Sequence, residues 1–256
     1  MQRLQEYAKS ALLELQEYLL MVAKAGRAAV TRPFYYRDVV EQFDIIGVGS
    51  MTVVLLTGMF TGMVLALQSG ITLDQFGARS MVGRLVSASM VKELGPVLTA
   101  LMVAGRVGSG IAAELGSMMV TDQIAALRAL GTDPIRKLVL PRILAGLVMV
   151  PFLTCISVAV GLLGAWIITI TQLKVASGVY WNSVVTGLYI QDVWMGMIKP
   201  FFLGFVIVSI GCHVGLRTSG GTQGVGRATT NAVVASSVAV LVVNFLVTKF
   251  LIFLMY

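Results

Sequence analysis

The chain has 256 residues, of which 57% are hydrophobic and only 12% are charged. Soluble domains carry about 25% charged residues, so a chain with half that share cannot hide its apolar surface in a water-soluble fold. The formal net charge of +7 does not indicate a nucleic-acid partner, because the basic residues stand in the gaps between apolar runs. Composition therefore excludes an ordinary soluble domain and predicts an integral membrane protein.

The first predicted element is an amphipathic helix over about residues 3–30. Its apolar residues recur at three- and four-residue steps, and its other face is polar. These apolar residues are Leu4, Tyr7, Ala11, Leu15, Tyr18 and Val22. We expect this helix to lie in the membrane interface, with a packed cytosolic helix as the alternative. Thr31-Arg32-Pro33 is predicted to end it.

Five transmembrane helices follow, because a spanning helix needs about 20 apolar residues. They are predicted near residues 45–68, 85–107, 143–172, 194–216 and 228–254. The second is the weakest by composition, since it has to accommodate Lys92 and Glu93 at its outer end or against a cavity. The sequence thus predicts an all-α integral membrane protein that forms a single domain over residues 1–256.

The distribution of basic residues predicts the orientation. Lys and Arg are frequent before the first span, between the second and third, and between the fourth and fifth. The opposite loops contain only Arg79, Arg84 and Lys174. Because cytoplasmic loops are enriched in Lys and Arg, we expect a cytoplasmic N-terminus and a C-terminus on the other side.

The segment between the second and third spans predicts a short helix of its own, over about residues 116–131. Apolar residues at helical spacing support it: Val120, Ile124, Leu127 and Leu130. Gly131 suits the left-handed position after a helix end, and Asp133-Pro134 supplies an N-cap and a first-turn proline for the next helix. A re-entrant or packing helix without a partner is the alternative to a docking element.

Three segments resemble the Mla-type (MlaE-like) permeases. They are KELGPVLTALMVAGRVGSGIAAELGSMMVTDQIAALRALGTDP (92–134), TGMFTGMVLALQ (57–68) and RATTNAVVASSVAVLVVNF (227–245). Members of this family are the membrane subunits of ABC transporters that move phospholipids in double-membraned bacteria, with relatives in plastid envelopes. The resemblance covers nearly the whole chain and implies a single permease domain.

The resemblance implies a homodimer in the bacterial inner membrane with a periplasmic C-terminus, and a role in outer-membrane lipid asymmetry. Its loop helix would dock on a separate cytosolic ABC ATPase that binds ATP and Mg²⁺. The implied coupling residues are Glu114, Thr121, Asp122, Gln123, Ala126, Leu127, Leu130 and Asp133. Further implied partners are an MCE-domain substrate-binding protein on the periplasmic side and a small cytosolic STAS-type regulator.

Charged residues at membrane depth are functional candidates by default, and Glu93 and Lys199 are the two in question. In the alternative, Lys92 snorkels outward and pairs with Glu93, and Lys199 snorkels as well. The resemblance implies that a phospholipid lies near Glu93 and Lys199 in an outward-facing cavity between two copies. Leu65, Leu73 and Phe76 would contact its acyl chains.

Three other classes of function are alternatives to a permease. The chain has no G-x-x-x-x-G-K-[ST] phosphate loop, so we expect no cofactor and no ATP hydrolysis in this chain. An ion-coupled carrier would need several acidic residues within spans, and an intramembrane enzyme would need a paired nucleophile. The single histidine, His213, has no such partner in its helix, and no metal-ligand spacing is present. A non-catalytic membrane scaffold is also compatible with the sequence.

Overall fold

The structure, a computed structural model, describes residues 2–30 and 35–255, with the side chains of the first helix described at residues 9 and 12–29. The break predicted at residues 31–33 and the side chains of Leu4, Tyr7 and Ala11 lie outside this described part. The helices are α1 Gln2–Val30, α2 Tyr36–Asp74, α3 Arg79–Val120, α4 Gln123–Ala129, α5 Ile135–Thr171, α6 Ser177–Gly187, α7 Ile190–Leu216 and α8 Gly221–Met255.

Five of these helices, α2, α3, α5, α7 and α8, are long and apolar enough to cross a membrane. The described residues form no strand. The prediction of an all-α integral membrane protein is thereby confirmed. We call the side of the bundle with α1 and α4 the α1 side, and the opposite one the α6 side.

Helix α3 is central, because it contacts α2, α5, α7 and α8. Helices α2 and α5 pack closely, with Gly58 and Gly62 facing Ser157 and Gly161. A Cβ atom on Gly62 would collide with the carbonyl group of Gly161. Small residues at this spacing let two helix backbones approach closely, so these glycines set the packing of α2 on α5.

Helix α8 is the least covered spanning helix. Only 11% of its apolar window is buried within the chain, against 28–50% for the other four. It packs on α7 and α3 along one side and leaves a row of large apolar residues exposed, among them Val238, Leu241, Phe245 and Leu246. This helix therefore forms an edge of the bundle that lipid or another chain has to cover.

Helix α1 has two apolar sides. Met21 and Ala25 are buried in the same cluster as Val139 at the start of α5. The Tyr18 hydroxyl lies 2.8 Å from Ser209 Oγ, and these two groups share a hydrogen bond. Leu12, Leu15 and Leu19 remain exposed. Of the predicted apolar face, Tyr18 thus contacts the bundle, whereas Leu15 remains exposed.

The predicted loop helix is present as α4, which is shorter than expected. Helix α3 continues to Val120, and the chain turns at Asp122, whose φ is +57°. Gly131 has the left-handed conformation that its position predicts, with φ of +75°. Asp133 Oδ1 accepts a hydrogen bond from the backbone N–H of Ile135 at 3.0 Å, so both ends of this loop are defined.

Helix α6 closes the opposite side of the bundle. Its Tyr180 is buried, and the hydroxyl group donates a hydrogen bond to the carbonyl of Leu162 at 2.9 Å. Burial raises the pKa of Tyr180 well above its usual range. Ser183 Oγ accepts a hydrogen bond from the backbone N–H of Arg84. These contacts fix α6 against α5 and against the first turns of α3, close to the charged segment of α3.

Candidate polar cluster within the membrane

Helix α3 is irregular where its charged residues occur. Residues Met90–Leu94 form a π-helical turn, and such turns are frequent at functional sites. Pro96 follows and has no N–H group to donate to the carbonyl of Lys92, four residues earlier. That carbonyl accepts a hydrogen bond from Lys199 Nζ at 2.7 Å instead. The sequence Lys-Glu-Leu-Gly-Pro thus creates an acceptor inside the bundle for a side chain of α7.

Glu93 is the centre of a network that joins three spanning helices. Lys199 Nζ of α7 lies 2.5 Å from Glu93 Oε1. From α8, Asn244 Nδ2 donates to Oε2 at 3.1 Å and Thr248 Oγ1 donates to Oε1 at 3.2 Å. We call Glu93, Lys199, Asn244 and Thr248 the polar cluster. It connects α8 to the rest of the bundle through hydrogen bonds rather than apolar packing alone.

The polar cluster lies deep in the apolar part of the molecule. Lys199 is nine residues from the start of α7, which corresponds to about 14 Å along the helix axis. Its side chain is 0% exposed, whereas that of Glu93 is 40% exposed. A carboxylate that faces lipid tails at this depth is costly. The exposed side of Glu93 therefore requires a polar surrounding, such as a hydrated cavity or the surface of another chain.

A second ion pair lies next to the polar cluster. Lys92 Nζ is 2.7 Å from Asp192 Oδ1, and the Asp192 side chain is 1% exposed. Asp192 Oδ2 also accepts a hydrogen bond from the backbone N–H of Tyr189 at 3.3 Å, which caps the start of α7. The salt bridges of this region thus join Lys92 to Asp192 and Lys199 to Glu93. Each lysine pairs with an acid on the other helix.

The residues predicted to contact acyl chains occupy three different places. Leu65 lines a cavity of about 370 Å³ together with Leu94. Leu73 lines another, of about 350 Å³, together with Lys92 and Asp192. Each of the two cavities therefore includes a residue of the π-helical turn Met90–Leu94 in its lining. Phe76 lies past the end of α2 and is 77% exposed, so it is not packed in the chain's own core.

The residues predicted to dock an ATPase mostly share one exposed surface around α4. Those exposed are Thr121, Asp122, Gln123, Ala126, Leu130 and Asp133, while Leu127 is half-buried. Leu130 is 80% exposed. Glu114 lies apart from them on α3, where its carboxylate is 2.7 Å from the guanidinium of the buried Arg142. This salt bridge joins α3 to α5.

Three residues of this region were not predicted from the sequence, namely Asn244, Thr248 and Asp192. Asn244 and Thr248 are polar residues one helical turn apart in an otherwise apolar run, which is a usable signal. Asp192 stands three residues after Tyr189, the capping-box position at a helix start. The described residues contain no group of three His, Cys, Asp or Glu side chains that could hold a metal ion.

Comparison with known proteins identifies the family of the chain. A family model described as permease MlaE matches residues 39–250. The chain belongs to the MlaE permease family. This MlaE-family permease is 43% identical over 225 residues to a probable ABC transporter permease protein of Rickettsia conorii, covering 88% of this chain and 87% of the relative.

Two further relatives extend the range of organisms. A probable ABC transporter permease protein of Synechocystis is 42% identical to the permease over 209 residues, or 82% of this chain and 80% of the relative. The intermembrane phospholipid transport system permease protein MlaE of Haemophilus influenzae is 34% identical over 232 residues, or 90% and 88%. The similarity thus covers nearly the full length of each protein.

Proposed function

We propose that this permease is the membrane subunit of an ATP-driven ABC transporter that moves phospholipids between the inner membrane and the periplasm or outer membrane. Such transport would maintain outer-membrane lipid asymmetry. The observation that carries the proposal is the polar cluster, in which a 40% exposed carboxylate and a buried ammonium lie at membrane depth. The name of the Haemophilus influenzae relative supports phospholipid as the substrate.

A phospholipid has a charged headgroup and long apolar tails, and the region around Glu93 offers complementary surfaces for both. Leu65 and Leu73 provide apolar lining in two cavities that border the charged turn, and Phe76 extends the apolar surface beyond α2. Lys199 is covered by Glu93 in this structure. Contact between its ammonium and a lipid phosphate therefore requires the Lys199–Glu93 bond to open while Asn244 and Thr248 hold the carboxylate.

The energy for transport comes from another subunit in this proposal, since the chain has no nucleotide-binding phosphate loop. The exposed surface of α4 is the docking site for a cytosolic ABC ATPase, which binds ATP and Mg²⁺. The short helix has defined ends at Asp122 and Gly131, so it transmits force as a unit. Glu114 contributes by holding α3 on α5 through Arg142.

The permease acts as a homodimer in this proposal, in the bacterial inner membrane. A second copy would supply the polar surrounding that the exposed part of Glu93 requires, and would cover part of α8. The N-terminus is cytoplasmic and the C-terminus periplasmic. An MCE-domain substrate-binding protein on the periplasmic side and a small cytosolic STAS-type regulator complete the assembly.

Reconstitution with the native partners tests this function. The permease is purified with its ATPase, placed in proteoliposomes, and assayed for ATP-dependent movement of a fluorescent phospholipid. We expect Glu93→Gln and Lys199→Ala to lower transport several-fold while the complex stays assembled in size-exclusion chromatography. Arg79→Ala is the matched control, because it removes one member of the Arg79–Asp74 ion pair outside the polar cluster.

The outcomes separate the competing functions. Normal transport by both cluster variants would contradict a role for Glu93 and Lys199. Movement driven by an ion gradient without ATP would favour an ion-coupled carrier. A clean preparation with neither bound phospholipid nor ATPase activity would favour a non-catalytic scaffold.

A further inference from the structure

A separate basic cavity lies on the α1 side, where the end of α1, the end of α4 and the start of α5 meet. It has a volume of about 690 Å³. Four basic residues line it, namely Lys24, Arg27, Arg128 and Arg136, together with one acidic residue, Asp133. The transport path proposed above uses none of these four basic residues. We call this space the basic cavity.

Apolar packing brings these charges together. Met21 and Ala25 of α1 are buried in one cluster with Val139 of α5, which fixes the neighbouring Lys24 beside the start of α5. Ile124 is 1% exposed and anchors α4, which places Arg128 at the same cavity. The cations are thus carried by three well-packed helices and not by a loose surface segment.

The cavity has an excess of positive charge. Asp133 is its single acidic lining residue, and one of its oxygens already accepts the hydrogen bond from Ile135. Within the described part of the chain, Lys24 and Arg128 form no ion pair with an acid, and both are exposed. Like charges around a concave surface focus the potential and raise the local concentration of anions.

The position of α1 indicates which kind of anion can bind in the basic cavity. Leu12, Leu15 and Leu19 of the same helix are exposed, as expected for a helix whose apolar side enters the membrane interface. Lys24 and Arg27 lie further along the same helix, and a helix in the membrane interface keeps its basic residues at the level of the lipid headgroups. Basic pockets between helices at such a surface bind anionic headgroups.

We propose that the basic cavity binds the phosphate group of an anionic phospholipid from the surrounding leaflet. The bound lipid is a ligand of the permease and not its cargo, and it ties α1, α4 and α5 to one another. Its presence therefore stabilises the base of α4. This site does not depend on which substrate the permease transports.

Lipid binding to the full-length permease tests the proposal. The purified protein is titrated in detergent with phosphatidylglycerol or with phosphatidylcholine, and bound lipid is counted by native mass spectrometry. We expect the wild type to prefer phosphatidylglycerol and Lys24→Gln/Arg128→Gln to lose about tenfold of that preference. Lys9→Gln/Arg227→Gln is the matched control, because it removes the same charge from residues outside the basic cavity.

Two further measurements keep the proposal open to refutation. Lys24→Arg/Arg128→Lys retains the charges and should bind phosphatidylglycerol as the wild type does, which rules out a general folding defect. Equal loss of binding in the control pair, or no loss in Lys24→Gln/Arg128→Gln, would overturn the site. Displacement of the lipid by millimolar inorganic phosphate would overturn the lipid assignment in favour of a free phosphate ligand.

Discussion

Glu93 and Lys199 form one ion pair, yet their surroundings differ. The Lys199 side chain is fully buried and donates hydrogen bonds to Glu93 and to the carbonyl of Lys92, whereas the Glu93 carboxylate is 40% exposed and has two further donors. Loss of the acid leaves a buried cation, while loss of the lysine leaves an anion that still has partners. The two substitutions are therefore not equivalent.

This difference predicts unequal effects on stability. We expect Glu93→Ala to lower the free energy of unfolding by about 3 kcal/mol, because an ammonium stays buried without its counter-charge. Lys199→Met fills the same space without a charge and should cost clearly less. Thermal denaturation of the purified permease in one detergent measures both. Equal or reversed losses would show that Lys199 is not held mainly by Glu93.

The charged residues within the spanning helices could be predicted from the sequence, but the residues that they pair with could not. Hydropathy indicated Glu93 and Lys199, because charges within apolar runs stand out in any sequence. It did not indicate that Lys92 pairs with Asp192 or that Asn244 contacts Glu93. These pairs join residues 100 or more positions apart, and the relative rotation and height of two helices are not encoded in the periodicity of either one.

At the scale of whole elements, hydropathy located the apolar middle of each spanning helix, placed every start several residues too late, and ended α2 and α3 too early. Helix α3 runs over Arg79–Val120, whereas the apolar run predicts residues 85–107. The extra turns lie where charged and polar side chains are tolerated, so a hydropathy signal ends before the backbone hydrogen bonds do. Helix α4 is shorter than predicted, because the first residues of the predicted loop helix belong to α3, which continues to Val120.

The contact between α2 and α5 gives the second stability prediction. Gly62→Ala should lower the free energy of unfolding by about 2 kcal/mol, because its Cβ would meet the carbonyl of Gly161 and force the helices apart. Gly110→Ala is the control on α3. Its Cβ would find nothing within 4 Å, and alanine favours a helix by up to about 1 kcal/mol over glycine.

Both variants are compared with the wild type by thermal denaturation in the same detergent. A lower midpoint for Gly62→Ala with an unchanged or higher midpoint for Gly110→Ala is the expected pattern. If both glycines tolerate alanine equally, close backbone approach does not hold α2 on α5.

Basic residues are distributed unequally between the two sides of the molecule. On the α1 side, two neighbouring cavities are lined by basic residues, including Lys24, Arg128, Arg217 and Arg227. The α6 side has fewer cations, and Arg79 there is paired with Asp74. Because Lys and Arg are enriched in cytoplasmic loops, this distribution predicts that the α1 side faces the cytoplasm. In that orientation we expect the surface of α4 to be accessible to a cytosolic partner.

Cysteine labelling tests that orientation. The natural Cys155 and Cys212 both lie within spanning helices, so a background with Cys155→Ala and Cys212→Ala provides an unlabelled parent. Asn182→Cys on the α6 side and Gln223→Cys on the α1 side introduce reporters at exposed positions. In intact spheroplasts, a membrane-impermeant maleimide should label the Asn182→Cys variant and leave the Gln223→Cys variant unmodified.

Permeabilised cells supply the matching control, because both reporters should then react to the same extent. The described residues contain five spanning helices, and an odd number places the chain before α2 and the chain after α8 on opposite sides of the membrane. Labelling of the Gln223→Cys variant in intact spheroplasts would reverse the orientation and expose α4 to the periplasm. An ATPase in the cytoplasm could not reach α4 in that case, so this one measurement also tests whether the docking surface is placed where ATP is available.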